Sequence, residues 1–288
     1  MSRVAVVTDT THYAPRALLA ERGIHEVSLY VNTGDRHERE SAMPDFDEFY
    51  QRLRRLDHLP TTSQPSIGDF LEVYEPLAAE GRDIVSVHIA GGISGTVQSA
   101  RQAGLEITAK YPQRTVEVID SRTACGAIGL CVLAGAAAAD GGAGVDAVAA
   151  RVREAVDAVK LWFAVDTLEF LRRGGRIGTA QAWLGGALKI KPILTVDGEI
   201  TPVERVRTAG RAFERMVDYL EARRDDRADG WVVQHIQAAE QADRLVERGR
   251  ELFGCEPVFV SEVGPVIGTH VGPGLLGVGG LPRALLAR

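Results

Sequence analysis

Apolar residues recur along the first half of the chain in two rhythms, short β-branched runs and longer stretches at helical spacing. Val4–Thr8 reads as a first strand, and Pro15 opens a helical pattern that Gly23 ends from just past its last turn. Val27–Val31 is a second strand. Asp45 is placed to cap a helix from Phe46 to about Leu56, with Phe46, Phe49, Tyr50 and Leu53 on one side. Thr61–Pro65 reads as a loop, because Pro65 turns Gln64 away from helix. Ser66 then caps a helix over Phe70–Ala79 that Gly81 closes. Ile84–Ile89, a helix from about Thr96 to Lys110, and Val116–Ile119 follow. Strand, helix, strand in this order predicts right-handed crossovers and a mostly parallel sheet flanked by helices.

An Ala- and Gly-rich stretch over Ala124–Ala139 is uncharged and reads as a buried helix, followed by a break at Asp140–Gly144 and a helix near Val145–Val159. The pattern then changes. Trp162–Val165 is a strand, and Ile190–Val196 and Glu199–Val206 flank Asp197-Gly198, a strong hairpin signal. A helix near Ala209–Arg223, a strand Trp231–Ile236, a helix Ala239–Phe253 and a strand Val258–Ser261 complete the second half. The chain is thus expected to be α/β with two domains. Residues 1–150 form an α/β domain and residues 151–288 an α+β domain with a mixed or antiparallel sheet, the boundary falling near 145–160.

Composition narrows the function more than the fold. Of 288 residues, 45% are hydrophobic and 25% charged, which describes an ordinary globular chain and excludes collagen-like or largely disordered classes. A net charge of −6 argues against a nucleic-acid partner, which requires a basic face. The longest uncharged stretch falls short of the roughly 20 strongly apolar residues of a membrane span, and the first residues lack the features of a targeting peptide. Cys125, Cys131 and Cys255 are an odd number without metal-ligand spacing, so buried free thiols in a reducing cytoplasm and no metal or cofactor are expected.

Familiar phosphate-binding motifs fail on context. Gly272-Pro-Gly274-Leu-Leu-Gly277 matches the dinucleotide fingerprint in letters, but the chain ends 11 residues later, without room for the helix and acid the motif needs. Gly92-Ile-Ser94-Gly-Thr96 misses the nucleophile elbow of α/β-hydrolases at its last position. What remains is Ser94 between two glycines after a strand and at a helix start, where outward backbone N–H groups and a hydroxyl suit an anion as well as a plain cap. Thr61-Thr62-Ser63 precedes another helix start. Two hydroxyl loops at the ends of βα units meet at the carboxyl edge of a parallel sheet, where ligands bind. Arg172-Arg-Gly-Gly-Arg176-Ile-Gly178 is a basic, glycine-flanked loop, and Thr269–Gly274 reads as a tight polar turn.

Taken together these stretches resemble the DegV family, the fatty-acid-binding proteins of bacteria. The matching pieces are Val7-Thr-Asp9-Thr-Thr, Thr62-Ser-Gln-Pro-Ser66, Ile93-Ser94-Gly-Thr96-Val-Gln-Ser-Ala100, Val118-Ile-Asp120-Ser121, Val165–Gly178, Ile190-Lys-Pro-Ile-Leu194 and Val266–Gly274. Seven in the same order over the whole chain are highly specific. The resemblance implies two α/β domains enclosing a long-chain fatty acid, with its carboxylate held by Thr62 and Ser94. Ser63, Gly95, Thr96, Thr269 and His270 are expected around the same head group. It further implies a non-catalytic subunit that presents the acid to a separate ATP-dependent kinase, which makes an acyl phosphate for phospholipid synthesis. Arg176, Arg205 and His270 look like the residues used with that kinase. The chain departs from the family where extra serines often precede the S-G-T turn and Ala90-Gly91-Gly92 stands instead.

A fatty acid needs a polar anchor and a dry tunnel. At about 0.8 kcal/mol per methylene, a C16 tail gains roughly 11 kcal/mol gross on burial. The small side chains of Ala127–Ala139 either leave such a tunnel or serve close helix-on-sheet packing. Two alternatives share these residues: a serine acylhydrolase using Ser94 and His270, and a lipid sensor without a kinase partner.

Overall fold

The computed structural model describes residues 3–43, 45–55, 59–184 and 190–288. The elements of the first half are β1 (Val4–Asp9), α1 (Arg16–Glu21), β2 (His25–Val27), β3 (Tyr30–Thr33), β4 (Arg36–Arg39), α2 (Phe46–Leu53), β5 (Thr61–Ser63), α3 (Ile67–Ala79), β6 (Asp83–His88), α4 (Thr96–Lys110) and β7 (Val116–Asp120). Then come α5 (Gly126–Asp140), α6 (Val145–Ala158), β8 (Lys160–Ala164), α7 (Glu169–Arg173), β9 (Lys191–Asp197) and β10 (Glu199–Val206). The chain closes with α8 (Ala209–Asp225), β11 (Gly230–His235), α9 (Ala239–Phe253), β12 (Phe259–Glu262), α10 (Pro265–Val271) and β13 (Leu276–Leu281).

The first sheet is parallel throughout, in the order β2-β1-β6-β7. The second is mixed, in the order β10-β9-β8-β13-β11-β12, with only β11 and β12 parallel. The parallel character of the first and the mixed character of the second follow the sequence pattern, although β13 does not. A third, antiparallel sheet, β4-β3-β5, does not. It splits the expected strand Val27–Val31 into β2 and β3, which pair in different sheets, and it makes Thr61–Ser63 a strand rather than a loop. The cause is tertiary: Leu29 is buried between the two pieces, and its amide donates to Oγ1 of Thr10.

Helix α5 lies between the two large sheets, packing on β1 and β6 on one side and on β11 and β13 on the other. Nearly all its residues are buried, the setting a helix that is apolar all round requires. Its glycines serve close packing: a Cβ at Gly129 would lie 2.9 Å from the Phe259 ring, and one at Gly135 2.6 Å from Val152. The Ala-rich stretch is therefore filled against its neighbours rather than hollowed into a tunnel. Helices α3 and α4 cover the outer face of the first sheet, and α8 and α9 that of the second.

Caps follow the sequence. The carboxylate of Asp45 accepts from the amide of Asp47 at the start of α2, and Ser66 with Asp69 forms a capping box on α3. The expected helix end at Leu56 lies outside the described residues. Besides β4 and β5, the elements α7, β13 and the short α10 were not anticipated. Thr269 and His270 therefore stand on a helix, opened by Pro265 at its first position, and the turn begins only at Gly272.

Candidate functional site

The hydroxyl loops and the C-terminal helix meet where β5 and α10 come together. Successive strand residues face opposite ways, so Thr62 and Ser63 part company. Thr62 turns inward, with Oγ1 2.7 Å from Nε2 of His270. Ser63 is exposed, and its hydroxyl accepts from the side chain of Asn32, away from that contact. Thr269 donates its hydroxyl to the Pro265 carbonyl one turn back, so its polar atom is committed to α10 itself.

Burial and the neighbouring Arg176 guanidinium push the imidazole of His270 down to about 4, so the ring is neutral near pH 7. Its Nδ1 is buried without a partner, facing Gly174, where a Cβ would lie 2.3 Å from that nitrogen. A buried N–H without an acceptor is costly, which places the single ring proton on Nε2. Nε2–H then donates to Oγ1 of Thr62, and the Thr62 hydroxyl proton is left to donate to an anion. Arg176 anchors the other side, donating through Nη1 to the Gly174 carbonyl at 2.9 Å.

Ser94 is held differently from expectation. Its amide donates to the Ala90 carbonyl at 3.2 Å, so it does not point outward. Its hydroxyl shares a 2.8 Å hydrogen bond with the buried hydroxyl of Thr96, and Gly95, not Ser94, is the N-cap of α4. Gly95 is there for space. A Cβ would lie 2.1 Å from Oε1 of Gln64, whose amide crosses it to donate to Ser99 at 3.1 Å. Gln64 thus ties the two hydroxyl loops together, a role that only its place between Ser63 and Pro65 hinted at. Gly91 and Gly92 stand in tight places likewise. A Cβ at Gly91 would lie 2.8 Å from the Asp120 carboxylate, and one at Gly92 2.4 Å from the Gly198 carbonyl at the tip of the β9–β10 hairpin.

Behind this mouth is an apolar cavity of about 50 Å³. Ile93, Leu161, Phe163, Leu171 and Leu275 are among its walls, and Arg176 and His270 reach its lining. Its other polar groups are spent. Gln234 accepts from the amide of Gly126 and donates to the His12 carbonyl and the Ser261 hydroxyl, and burial pushes the Cys125 thiol up so that it stays protonated. The cavity is far below the roughly 300–1,000 Å³ of ordinary ligand pockets, so a long ligand has to press its walls apart.

Arg205 is not part of this gathering. It is exposed on β10, with its guanidinium 5.2 Å over the ring of Trp183. Ser94 and His270 are hydrogen-bonded to different hydroxyls, so the nucleophile–base pair of a hydrolase is not assembled among the described residues. Those residues also hold no cluster of three or more metal-ligating side chains, and no described helix is long and apolar enough to cross a membrane.

Residues 3–283 match the family described as "Uncharacterised protein, DegV family". A DegV domain-containing protein of Streptomyces coelicolor is 40% identical, covering 96% of this chain and 98% of that one. Two solved structures superpose closely. A DegV family protein of Thermus thermophilus, described for its fatty acid binding, is 34% identical with a TM-score of 0.86, covering 98% of this chain and 99% of that one. DegV of Bacillus subtilis, described as a fatty acid binding protein, is 33% identical with a TM-score of 0.87, covering 98% and 100%.

Proposed function

Because this chain belongs to the DegV family, we propose that it binds one long-chain fatty acid, its tail in the apolar cavity and its carboxylate at the mouth formed by Thr62, His270 and Arg176. The observation that carries this reading is the Thr62–His270 hydrogen bond, set beside a guanidinium at the opening of an apolar cavity. A neutral imidazole that fills the threonine oxygen leaves a hydroxyl donor aimed at an anion, and Arg176 adds charge. Residues 1–150 supply the hydroxyl loops and residues 151–288 the helix and Arg176 that close over them, as two domains sharing one ligand. Ser94, one residue from Ile93 in the cavity wall, supplies the second hydroxyl once its bond to Thr96 rotates.

In this reading the protein is a cytoplasmic, non-catalytic subunit that hands its lipid to a separate ATP-dependent kinase for acyl-phosphate formation. Arg176 and His270 lie at the carboxylate and serve the transfer itself, where charge develops. Arg205, exposed on its tryptophan, serves docking. An Arg205→Ala variant is expected to keep lipid affinity and slow acyl-phosphate formation with a cognate kinase.

Mass spectrometry of lipid extracted from the natively purified protein tests the binding reading. A long-chain fatty acid near one per chain is expected. A chain that carries none and takes up no added palmitate overturns it.

A further inference from the structure

Among the buried ionisable groups that the head-group reading does not use, Glu40 is tied directly to α10. Glu40, just past β4, is 2% exposed. Its Oε1 accepts from the amide of Val266, the second residue of α10, at 2.8 Å and from the Tyr13 hydroxyl at 2.9 Å. The Tyr13 hydroxyl in turn accepts from the amide of Ile267 at 3.2 Å. Glu40 and Tyr13 therefore satisfy two first-turn amides of a helix whose own N-cap, Gly264, has no side chain to do so. Gly264 is required for that approach, since a Cβ would lie 2.8 Å from Oε1 of Glu40 and 2.6 Å from the Tyr13 ring. Tyr50 holds the same end, donating to the carbonyls of Val263 and Gly264. His270 lies four residues beyond Val266, about 6 Å along the helix axis at 1.5 Å per residue.

We propose that Glu40 is a positioning residue of the head-group site: by capping α10 it fixes where His270 stands against Thr62, so that lipid affinity follows the charge state of Glu40. The inference rests on the reading that this mouth holds a carboxylate.

The setting makes Glu40 responsive. Burial, with the negative charge of Asp9 nearby, pushes its carboxyl up to about 7 against the hydrogen bonding of Thr10, Val266 and Tyr13. Facing it are Asp9 on β1, Tyr13, Tyr50 on α2 and Cys125 at the start of α5. His12, Arg16, Glu26 and Glu262 line the cavity beside it. Ionised, Glu40 accepts more strongly from Val266 and complements the positive end of the helix; protonated, it does both less well.

NMR of the His270 ring in ligand-free protein, followed from pH 5.5 to 8.5, reads the coupling without any lipid. Wild type is expected to show an inflection near 7, too high to be protonation of His270 itself, and Glu40→Gln is expected to lose it. Palmitate affinity should tighten between pH 6 and 8 by about 2- to 10-fold more in wild type than in Glu40→Gln, the range for one strengthened hydrogen bond. Tyr13→Phe, which keeps the carboxylate and removes one of the two caps, should shift the His270 inflection. No inflection near 7 in wild type, or superimposable profiles for wild type and Glu40→Gln, overturns the proposal. Failure of both proteins to bind palmitate, with the His270 inflection present, overturns the lipid reading instead and leaves the coupling standing.

Discussion

Thr62 and His270, 208 positions apart, meet through a 2.7 Å hydrogen bond between a strand of the first half and a helix of the second. Neither half of the chain makes the proposed head-group site alone. Loss of the Thr62 hydroxyl removes one hydrogen bond to a charged group, about 1.5–3 kcal/mol, or roughly 10- to 150-fold in affinity. Thr62→Ala and Ser94→Ala are each expected to weaken fatty-acid binding in this range with little change in melting temperature, and Thr62→Ser to restore most of it. Calorimetric titration of the delipidated protein measures all three.

Glu40 and His270 pull the pH dependence of stability in opposite directions. The Glu40 carboxyl is raised from 4.5 to about 7, so the folded state holds more protons than the unfolded across that window and stability falls as pH rises through it. The His270 ring is lowered from 6.5 to about 4, so the unfolded state holds more protons there and stability rises with pH. Urea unfolding between pH 4.5 and 6.5 should therefore give Glu40→Gln a steeper rise with pH than wild type, and His270→Asn a shallower rise or a fall.

Gly95 gives a steric test of how the two hydroxyl loops are joined. Gly95→Ala drives a methyl into the Gln64 amide, the end of a flexible side chain that can yield. The fold should survive with a loss of about 1–3 kcal/mol, in the range of overpacking. Gln64→Ala added to it should recover part of that loss, a coupling that a double-mutant cycle isolates.

Much of this architecture was legible in the pattern of the chain. The ends of α4 and α9 fall where the sequence places them, because helical spacing, with the left-handed Gly254 just past α9, decides them locally. What was hidden depended on distant partners. Strand β13 is disguised by Gly277, Gly279 and Gly280, which read as turn residues. In the sheet Gly279 and Gly280 are packing residues, since a Cβ would lie 2.9 Å from the Lys160 carbonyl and 3.1 Å from the Ala228 carbonyl respectively. Strand β5 exists only because β3 lies beside it. Glu40, in a run of charged residues from Arg36, carries no sign of burial until α10 comes to rest on it. Of the residues singled out in the sequence, Thr62 and His270 meet and Arg176 lies beside the imidazole, Ser94 bonds to Thr96, and Ser63, Thr269 and Arg205 turn their polar groups elsewhere.

Gly277 lines the apolar cavity proposed to take the tail. Leu276 and Val278 on either side of it pack toward α8 and α9, so a side chain at 277 points the other way, toward α5 and the cavity. A Cβ there meets Phe163 at an ordinary 3.4 Å, so the strand accepts it. Gly277→Leu is expected to keep binding of shorter fatty acids and to lose affinity for C16 and C18 acids. At about 0.8 kcal/mol per methylene left unburied, two displaced methylenes cost roughly 15-fold. Competition between acids of graded length reads the shift.

The carboxyl carbon of the ligand itself reports on the central claim. Carbon-13 NMR of carboxyl-labelled palmitate bound to the delipidated protein, titrated from pH 8 to 4, follows its ionisation at the mouth. With Arg176 beside it and the Thr62 hydroxyl donating to it, the bound carboxylate is expected to stay ionised below the pH at which the free acid protonates. Its resonance should move when Thr62 is changed to Ala. A bound resonance that titrates like the free acid and is indifferent to Thr62→Ala would contradict the anchor.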